Sequence, residues 1–472
     1  MAAQNTEQET FEVDYLIIGA GAMGMAFADI VLTESDKTIL MVDMHQKPGG
    51  HWNDAYPFVT LHQPSAYYGV SSKELSKGVI DTMGLNKGLQ DLATGPEIMA
   101  YFDEVMRYQF QPTGRMTYLP MCKYEGDGKI SALTSDKTYT VRVREKTIDA
   151  TWLKTTVPST HTPNFEVADG VKLMPLNDLP KVMEQPSNYV IVGGGKTAID
   201  AVIWLLENHV DPDSIQWVRP RDAWLMRRET TQPDVSFFEE TMGAQAAQME
   251  AIASSTSIDD MFERLESSGI FVRLDESVRP AMFHGATISD PELEELRSVK
   301  NVIRMGRIQR IEKDQIILDD GTLPCDENTL FVDCSACAVG NAVETEVFQG
   351  DTLRLQTVRT VQPVFSAAFI AHIELTRDTE EEKNRLCQVV PLPNHATDWV
   401  RMQSAFMMNQ FNWSQEKDLR AWLRNNRLDG YSQMVSGIQE DETEKLAIMN
   451  RMRENSMPSV MKLQEYMAQI AS

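Results

Sequence analysis

Residues 11–24 read FEVDYLIIGAGAMG, and residues 38–43 read TILMVD. The first stretch is an apolar run that ends in a GxGxxG pattern formed by Gly19, Gly21 and Gly24. The apolar run predicts a strand, the alanine-rich residues after the glycines predict a helix, and the second stretch predicts another strand. Together they predict a βαβ unit in which the helix N-terminus faces a phosphate group.

The three glycines and one acid have separate roles in such a unit. Gly19 permits the tight turn, Gly21 lets the backbone approach a pyrophosphate, and Gly24 lets the helix pack on the strand. Asp43 ends the second strand, where a carboxylate accepts the hydroxyls of a ribose. The glycine turn follows an apolar strand and opens a helix, and an acid stands at the end of the next strand. Together these features predict a dinucleotide site.

A second unit of the same kind follows later in the chain. Residues 189–198 read YVIVGGGKTA, in which Gly193 and Gly195 begin a GxGxxA pattern between a predicted strand and a predicted helix. Lys196 and Thr197 are the first residues of that helix, and we expect them to bind a second dinucleotide.

The residues around the second turn indicate which nucleotide it binds. The tripeptide GKT resembles the end of a P-loop, but Val190 stands where a P-loop requires glycine, which disfavours an NTPase. Arg219 and Arg221 stand where the first unit has Asp43. Arginine suits a 2′-phosphate and favours NADPH over NADH. Two solvated arginines beside Asp222 are the alternative.

The composition excludes several classes of protein. The chain has 472 residues, which is enough for two or three domains. Its 69 acidic and 44 basic residues give a net charge of −25, which disfavours nucleic acid and anionic membranes as partners. The sequence shows neither a secretory signal nor an apolar run of about 20 residues, so we expect a cytoplasmic protein. The eight histidines show no ligand spacing, so no metal site is expected.

The segment that follows the first unit indicates which dinucleotide the first unit binds. It reads Gly49-Gly50-His51-Trp52, and His62 and Gln63 follow in the run LHQP. The chain here resembles the class B flavoprotein monooxygenases, which include the flavin-containing, N-hydroxylating and Baeyer–Villiger monooxygenases and in which a Gly-Gly-x-Trp segment lies along FAD. The resemblance implies that residues 49–52 line FAD and that His62 and Gln63 lie near the flavin. A glycine loop with an ordinary buried tryptophan and a hydrogen-bonded histidine is the alternative.

The resemblance also implies an architecture. We expect an α/β protein of two Rossmann-type three-layer domains, with FAD bound by residues 1–158 and 325–472 and NADP bound by residues 159–324. Helical periodicity predicts a helical insertion at about residues 223–300 and a helical C-terminal tail. The methionine-rich part of that tail predicts core or oligomer packing, and with it a homodimer.

The expected activity is that of an FAD- and NADPH-dependent, monooxygenase-like oxidoreductase. In the class it resembles, NADPH reduces the flavin, and O2 then forms a C4a-(hydro)peroxyflavin that oxygenates a small organic substrate. This resemblance is incomplete, because residues 165–178 lack the FxGxxxHxxxW linker fingerprint, and the usual Ala-Thr-Gly strand ends are missing near residues 155–160 and 333–337.

Three other activities therefore remain open. The first is a flavin reductase or oxidase that inserts no oxygen. The second is a disulfide-type reductase that uses the CxxC pair Cys334 and Cys337, although a free cysteine is ordinarily a small buried hydrophobe. The third is a nucleotide-binding protein without catalysis.

Overall fold

The computed structural model describes residues 9–337 and 343–471. Its strands, in chain order, are β1 (Glu9–Ile18), β2 (Ile39–Val42), β3 (Gly69–Val70), β4 (Lys73–Glu74), β5 (Met116–Leu119), β6 (Cys122–Gly126), β7 (Lys129–Ala132), β8 (Thr138–Asp149), β9 (Glu166–Val167), β10 (Lys172–Pro175), β11 (Tyr189–Val192), β12 (Ile215–Val218), β13 (Ala223–Arg227), β14 (Phe271–Val272), β15 (Met282–Ile288), β16 (Val302–Ile303), β17 (Ile308–Ile311), β18 (Gln315–Leu318), β19 (Gly321–Pro324), β20 (Leu330–Asp333), β21 (Phe348–Gln349) and β22 (Thr352–Arg354).

The α-helices, in chain order, are α1 (Ala22–Glu34), α2 (Gly95–Val105), α3 (Lys196–Glu207), α4 (Phe238–Ser254), α5 (Ile258–Ser267), α6 (Asp290–Ser298), α7 (Pro363–Thr376), α8 (Glu380–Leu386), α9 (Asp398–Gln415), α10 (Lys417–Asn425), α11 (Tyr431–Ser436) and α12 (Thr443–Ala471). Within the described ranges, none of these helices is long and apolar enough to cross a membrane.

The first unit is built on a sheet in the order β21-β22-β8-β1-β2-β5. The strands from β22 to β5 run parallel, as the predicted βαβ unit requires. Helices α1, α2 and α7 contribute to the apolar core on one face. On the other face, β6 and β7 form an antiparallel meander with β8, which buries a second cluster of apolar side chains. The predicted three-layer α/β arrangement is confirmed for this unit.

The second unit is built on a fully parallel sheet in the order β10-β20-β11-β12-β16. Helices α3 and α6 contribute to the core on one face, and strands β17 and β18 contribute to the core on the other. Strand β20 belongs to this sheet, so the second unit includes residues 330–333, beyond the predicted boundary at residue 324. The chain then returns to the first sheet at β21 and β22.

The insertion and the C-terminal helices form a third packed region. Helices α4, α5 and α6 agree with the predicted helical insertion, but the insertion also contains a three-stranded sheet in the order β14-β13-β15. Helical periodicity missed this sheet because β13 pairs with β15, which lies more than 50 residues away in sequence. Helices α9 and α12 contribute to the same core as the insertion.

Candidate functional site

The first glycine turn lies at the carboxyl end of β1, where α1 begins. Gly19 has a φ of +100°, which favours glycine. A Cβ added at Gly24 would lie 2.1 Å from the carbonyl oxygen of Gly19, so only glycine lets α1 pack this closely. Helix α1 starts with Gly21 as its N-cap, without a side-chain cap and without an acid in its first turn. The N–H groups of this helix end are therefore not used by a capping side chain.

The turn rests on Ala150 and Thr151, which follow the end of β8. A Cβ added at Gly19 would lie 2.8 Å from Cγ2 of Thr151, and one at Gly24 would lie 3.2 Å from Cβ of Ala150. The strand end lies earlier than the predicted residues 155–160, because β8 ends at Asp149 and Ala150 and Thr151 come directly after it, while the full Ala-Thr-Gly pattern is absent as predicted. Only the glycine of the Ala-Thr-Gly pattern is replaced, by a tryptophan.

Asp43 is buried behind the turn and is already hydrogen-bonded to the protein. Its Oδ2 accepts the Ala20 N–H at 2.5 Å, and its Oδ1 accepts the His45 backbone N–H at 2.7 Å. The His45 ring bridges two carboxylates, with Nδ1 at 3.0 Å from Asp43 and Nε2 at 2.8 Å from Asp54. A carboxylate has about four acceptor sites, so one remains on Oδ2 for a ribose hydroxyl.

The charge of His45 is stabilised by this bridge. Partial burial by itself would lower the pKa of His45, but the hydrogen bond to Asp54 and the charge of Asp43 raise that pKa above its ordinary value. His45 was not among the predicted site residues. Its position two residues after Asp43 is the only sequence signal that could have indicated the contact.

The Gly-Gly segment lies directly on the glycine turn. Gly49 and Gly50 both have positive φ, +128° and +57°. The Gly49 N–H donates to the Ala20 carbonyl oxygen at 2.8 Å. A Cβ added at Gly50 would lie 2.8 Å from Cα of Gly21, so two backbones touch here with no room for a side chain. The structure thus brings the two predicted glycine segments together.

His51 and Trp52 extend from this segment into the junction between the two units. The His51 ring lies 5.1 Å from the Trp52 ring, and burial lowers the pKa of His51 to about 4. The Trp52 Nε1–H donates to the Tyr68 hydroxyl at 2.8 Å, and the Trp52 side chain packs against the cores of both units.

A hydrogen bond between Tyr56 and Asp200 joins the first unit to the second. The Tyr56 hydroxyl donates to Asp200 Oδ2 at 2.5 Å, and Lys196 forms an ion pair with the other oxygen of the same carboxylate. Phe58, two residues after Tyr56, stacks on Trp204 of α3 with 5.2 Å between ring centroids. The sequence reasoning missed this joint, because it depends on residues more than 140 positions apart.

His62 is held in the neutral form beside the insertion. Burial lowers the pKa of His62 to about 3, and its Nδ1 accepts the Thr287 N–H at 3.3 Å, which leaves the proton on Nε2. The His62 carbonyl oxygen accepts from the Thr287 hydroxyl and from Arg228 Nε, and buried Arg228 also pairs with Glu292 at 2.7 Å. Gln63 lines a cavity next to the insertion.

The second glycine turn has the same construction but is more open. Gly193 has a φ of +141°, and a Cβ added there would lie 2.6 Å from the carbonyl oxygen of Cys334, after the end of β20. Among residues 9–337 and 343–471, and apart from the two neighbours of Gly195 in the chain, no atom lies within 4 Å of a Cβ added at Gly195. Helix α3 begins at Lys196 without a side-chain cap or an acid in its first turn, and Thr197 is half-buried in that turn.

The two predicted phosphate-binding arginines differ in their surroundings. Arg219 is only 2% exposed, lies over the Trp217 ring at 4.7 Å and pairs with Asp222 at 2.8 Å. Burial lowers the pKa of Arg219 to about 10. Arg221 is half-buried and donates to Asn394 at 2.9 Å. Of the two, Arg221 is the one with a guanidinium near the surface.

The cysteines of the CxxC pair do not have the setting of a redox pair. Cys334 is 3% exposed, and burial raises the pKa of its thiol well above the ordinary value. Cys337 is exposed. A reactive cysteine requires a lowered pKa, so the surroundings of Cys334 oppose the disulfide-type reductase.

The family of NAD(P)-binding Rossmann-like domains matches residues 17–70, which contain the first glycine turn and the Gly-Gly segment. Uncharacterized proteins of Mycobacterium tuberculosis (strain H37Rv) and Mycobacterium bovis are 46% identical to the chain over 421 residues, which cover 89% of this chain and 78% of each relative. The chain belongs to the family of these mycobacterial proteins.

Solved structures to which the chain is similar include monooxygenases. The flavin-containing monooxygenase from Stenotrophomonas maltophilia is 13% identical, with a TM-score of 0.44 over 77% of this chain and 98% of that one. Cyclohexanone-bound cyclohexanone monooxygenase is 13% identical, with a TM-score of 0.48 over 80% and 92% of the two chains. The complex of OTEMO with FAD and NADP is 14% identical, with a TM-score of 0.43 over 77% and 85%.

Proposed function

We propose that the chain is an FAD- and NADPH-dependent oxidoreductase that acts as a monooxygenase on a small organic substrate. The observation that carries this proposal is the pair of glycine turns, at Gly19 and Gly193, each at the carboxyl end of a parallel sheet and each opening an uncapped helix. Ligands of open α/β sheets bind outside the carboxyl ends of the strands. The Tyr56–Asp200 hydrogen bond joins the two units.

The donors and acceptors of the first turn fit FAD. The free N–H groups at the start of α1 suit a pyrophosphate, and the remaining acceptor site of Asp43 suits a ribose hydroxyl. The Gly-Gly segment and Trp52 extend from this turn to the junction, as the resemblance implies for residues along FAD. When bound, FAD would take a hydride from NADPH and deliver electrons to oxygen.

The second turn fits NADPH, and it is less enclosed than the first turn. The space above Gly195 and the uncapped start of α3 suit a second pyrophosphate. Arg221 is the arginine placed to meet a 2′-phosphate, because the charge of Arg219 is taken by Asp222. Lys196 is paired with Asp200, so it would contribute a shared rather than a free positive charge.

Residues at the junction between the two units hold protons at defined atoms and place aromatic surface next to them. His62 carries its proton on Nε2 and remains neutral at physiological pH, so it can donate one hydrogen bond without adding charge. The Tyr56 hydroxyl keeps its proton, because burial and the Asp200 carboxylate raise its pKa, and it donates a hydrogen bond to Asp200. Trp52 and Tyr68 surround this region with aromatic surface, which strengthens electrostatic interactions there by lowering the local dielectric.

The proposal is tested with the purified full-length chain. We expect a flavin absorbance spectrum that is bleached by NADPH without oxygen and bleached more slowly by NADH. Rapid mixing of the reduced protein with oxygen should show a transient absorbance before the spectrum of oxidised flavin returns. Colourless protein that takes up no FAD would refute the cofactor assignment, and reduction by neither nicotinamide would refute the assignment of the second turn.

One observation favours a second candidate, an NAD(P)H-dependent reductase or oxidase that inserts no oxygen. Residues 165–178, which include β9 and β10, have neither the histidine nor the tryptophan of the linker fingerprint. Direct return of the reduced protein to oxidised flavin, with hydrogen peroxide equal to the NADPH consumed in the presence of every substrate tried, would establish this candidate instead.

A further inference from the structure

Three basic side chains lie together beside the second glycine turn. Arg221 follows β12, His284 belongs to β15, and His395 precedes α9. The carbonyl oxygen of Arg221 would lie 2.8 Å from a Cβ added at Gly194, so the turn packs on the backbone of this arginine. A β-bridge between Met282 and His395 holds the segment before α9 against β15. We call Arg221, His284 and His395 the basic cluster.

Two members of the basic cluster converge on one uncharged oxygen. Oδ1 of Asn394 accepts from Arg221 Nη2 at 2.9 Å and from His284 Nε2 at 3.1 Å. An anionic oxygen accepts such hydrogen bonds about twice as strongly as a neutral one. Asn394 is exposed, so its side chain can turn into solvent and leave both donors to an anion. The amide oxygen therefore marks the position of an anion site.

The charge of Arg221 is not neutralised by a neighbouring acid. Every other arginine between residues 219 and 304 forms an ion pair with an aspartate or a glutamate. Within the described part of the chain, Arg221 has no such partner, and neither His284 nor His395 pairs with a carboxylate side chain. In a chain with a net charge of −25, a basic cluster without acidic partners is suited to an anionic ligand.

A bulge in β15 brings His284 to the basic cluster. Trp224 of β13 faces Phe283, whereas Met226 faces Thr287, so a single residue of β13 lies opposite three residues of β15. His284 is one of those three. Bulges change the direction of a side chain and are frequent next to functional sites. The irregular pairing thus accounts for the contact of His284 with the segment before α9.

The surroundings of His284 keep its ring neutral in the absence of an anion. Burial lowers the pKa of His284 below its ordinary value, and the charges of Arg221 and His395 lower it further against the hydrogen bond to Asn394, which raises it. Asp398 lies on the same segment, but its Oδ2 accepts the backbone N–H groups of Asn394 and His395 at 2.9 and 2.7 Å. A dianion beside His284 would favour the imidazolium form. Binding of such an anion is therefore coupled to uptake of a proton.

We propose that Arg221 and His284 bind the 2′-phosphate of NADPH in the place of Asn394 Oδ1, and that His284 takes up one proton as the phosphate binds. The Nε2–H of His284 donates to a phosphate oxygen, and a proton from solvent goes to Nδ1 of the same ring. The inference rests on the proposed function, since it deepens the NADPH site of the second turn. It makes His284 a determinant of coenzyme preference and makes that preference dependent on pH.

The test titrates the purified full-length protein with adenosine 2′,5′-bisphosphate and with AMP, by calorimetry in two buffers of different ionisation enthalpy. At about pH 7.5 the phosphates are dianions, because their second pKa is about 6. The bisphosphate should bind at least about tenfold more tightly than AMP, with a proton uptake that AMP binding lacks. This advantage should decline as pH rises further, since the imidazolium form is lost. Equal affinity for the two nucleotides, or a tighter bisphosphate without proton uptake, would overturn the inference.

Two variants separate His284 from a general attraction between charges. His284→Gln keeps a hydrogen-bond donor but does not titrate, so it should abolish the proton uptake and weaken the bisphosphate about fivefold to tenfold. Asn394→Asp keeps the size of the side chain and puts a carboxylate between Arg221 and His284, so it should weaken the bisphosphate at least about tenfold. Neither variant should change the affinity for AMP.

The matched control is His209→Gln, which alters an exposed histidine beyond the far end of α3. It should leave both affinities and the proton uptake unchanged. Wild-type proton uptake in His284→Gln, or wild-type affinity for the bisphosphate in Asn394→Asp, contradicts the assignment.

Failure of the inference is distinguishable from failure of the proposed function. His284-dependent binding of the bisphosphate by a protein whose flavin is not reduced by NADPH supports the basic cluster as the phosphate site and counts against the proposed function. Reduction of bound flavin by NADPH with the same KM and pH dependence in wild type and His284→Gln supports the proposed function and overturns the inference. A protein that binds neither nucleotide and is not reduced by NADPH counts against both.

Discussion

The two glycine turns have the same backbone plan and opposite degrees of enclosure. At the first turn, Gly50 lies against Gly21 and the nearby carboxylate of Asp43 is tied to the turn itself. At the second turn, no other residue in the described part of the chain comes within 4 Å of a Cβ at Gly195. We expect a ligand under a closed backbone to leave more slowly than one on an open turn.

This difference matches the needs of two dinucleotides with different roles. A flavin stays bound through many reaction cycles, and a nicotinamide cofactor must leave after each one. We therefore expect enclosure, rather than the glycine pattern, to distinguish the two proposed sites. The following substitutions test the contrast from the largest expected effect to the smallest.

Gly24→Ala should have the largest effect. The new Cβ would lie 2.1 Å from backbone that is unable to move without displacing β1, so we expect a loss of at least about 3 kcal/mol in the free energy of unfolding. FAD content should fall almost to zero. Urea unfolding and the absorbance of the purified protein measure the two effects. Wild-type FAD content in this variant would show that α1 does not hold the cofactor.

Arg219→Ala should destabilise the fold rather than alter cofactor preference. It leaves buried Asp222 with Arg304 as its remaining ionic partner, so we expect a loss of about 2–4 kcal/mol. The ratio of KM values for NADPH and NADH should stay unchanged. In the matched variant Arg221→Ala, stability should be retained and the KM for NADPH alone should rise about tenfold. If Arg219→Ala raised the KM for NADPH and Arg221→Ala lowered the stability instead, Arg219 would be the phosphate ligand.

Gly195→Ala should affect binding while leaving the fold intact. The φ of Gly195 is −94°, which alanine adopts freely, and its Cβ would enter open space. The free energy of unfolding should therefore change by no more than about 0.5 kcal/mol. The KM for NADPH should rise, because the methyl group occupies the space proposed for the pyrophosphate. An unchanged KM would separate the second turn from NADPH binding.

The smallest effect concerns the pH dependence of the first site. Because the pKa of His45 is raised in the folded protein, its contribution is fully present below the unfolded pKa of about 6.5 and is lost as pH rises through the folded pKa. His45 is about one-third exposed, so we expect less than about 1 kcal/mol. Thermal melts across this range should show a decline in the wild type that His45→Gln lacks. Parallel profiles for the two proteins would contradict this.

The sequence was sufficient where the structure depends on local backbone. Both glycine turns, with their strands and helices, follow from short patterns around Gly19 and Gly193, whereas the backbone contact of the Gly-Gly segment with the first turn was not predicted. Residues whose surroundings come from distant segments were not predictable in this way. The hydrogen bond between Tyr56 and Asp200 joins residues more than 140 positions apart, and His62 is held by Thr287 and Arg228 of the insertion.

The order of the strands has a consequence for synthesis on the ribosome. The first sheet gains β22 only after the whole second sheet has been made, and α7, whose side chains are almost entirely buried in the core that also contains α1, comes later still. The first glycine turn is thus translated early, but β22 and α7, which complete its sheet and core, are translated late. Nascent chains that stop before residue 376 lack α7 or part of it, so we expect the first unit to bind FAD only after α7 has been synthesised.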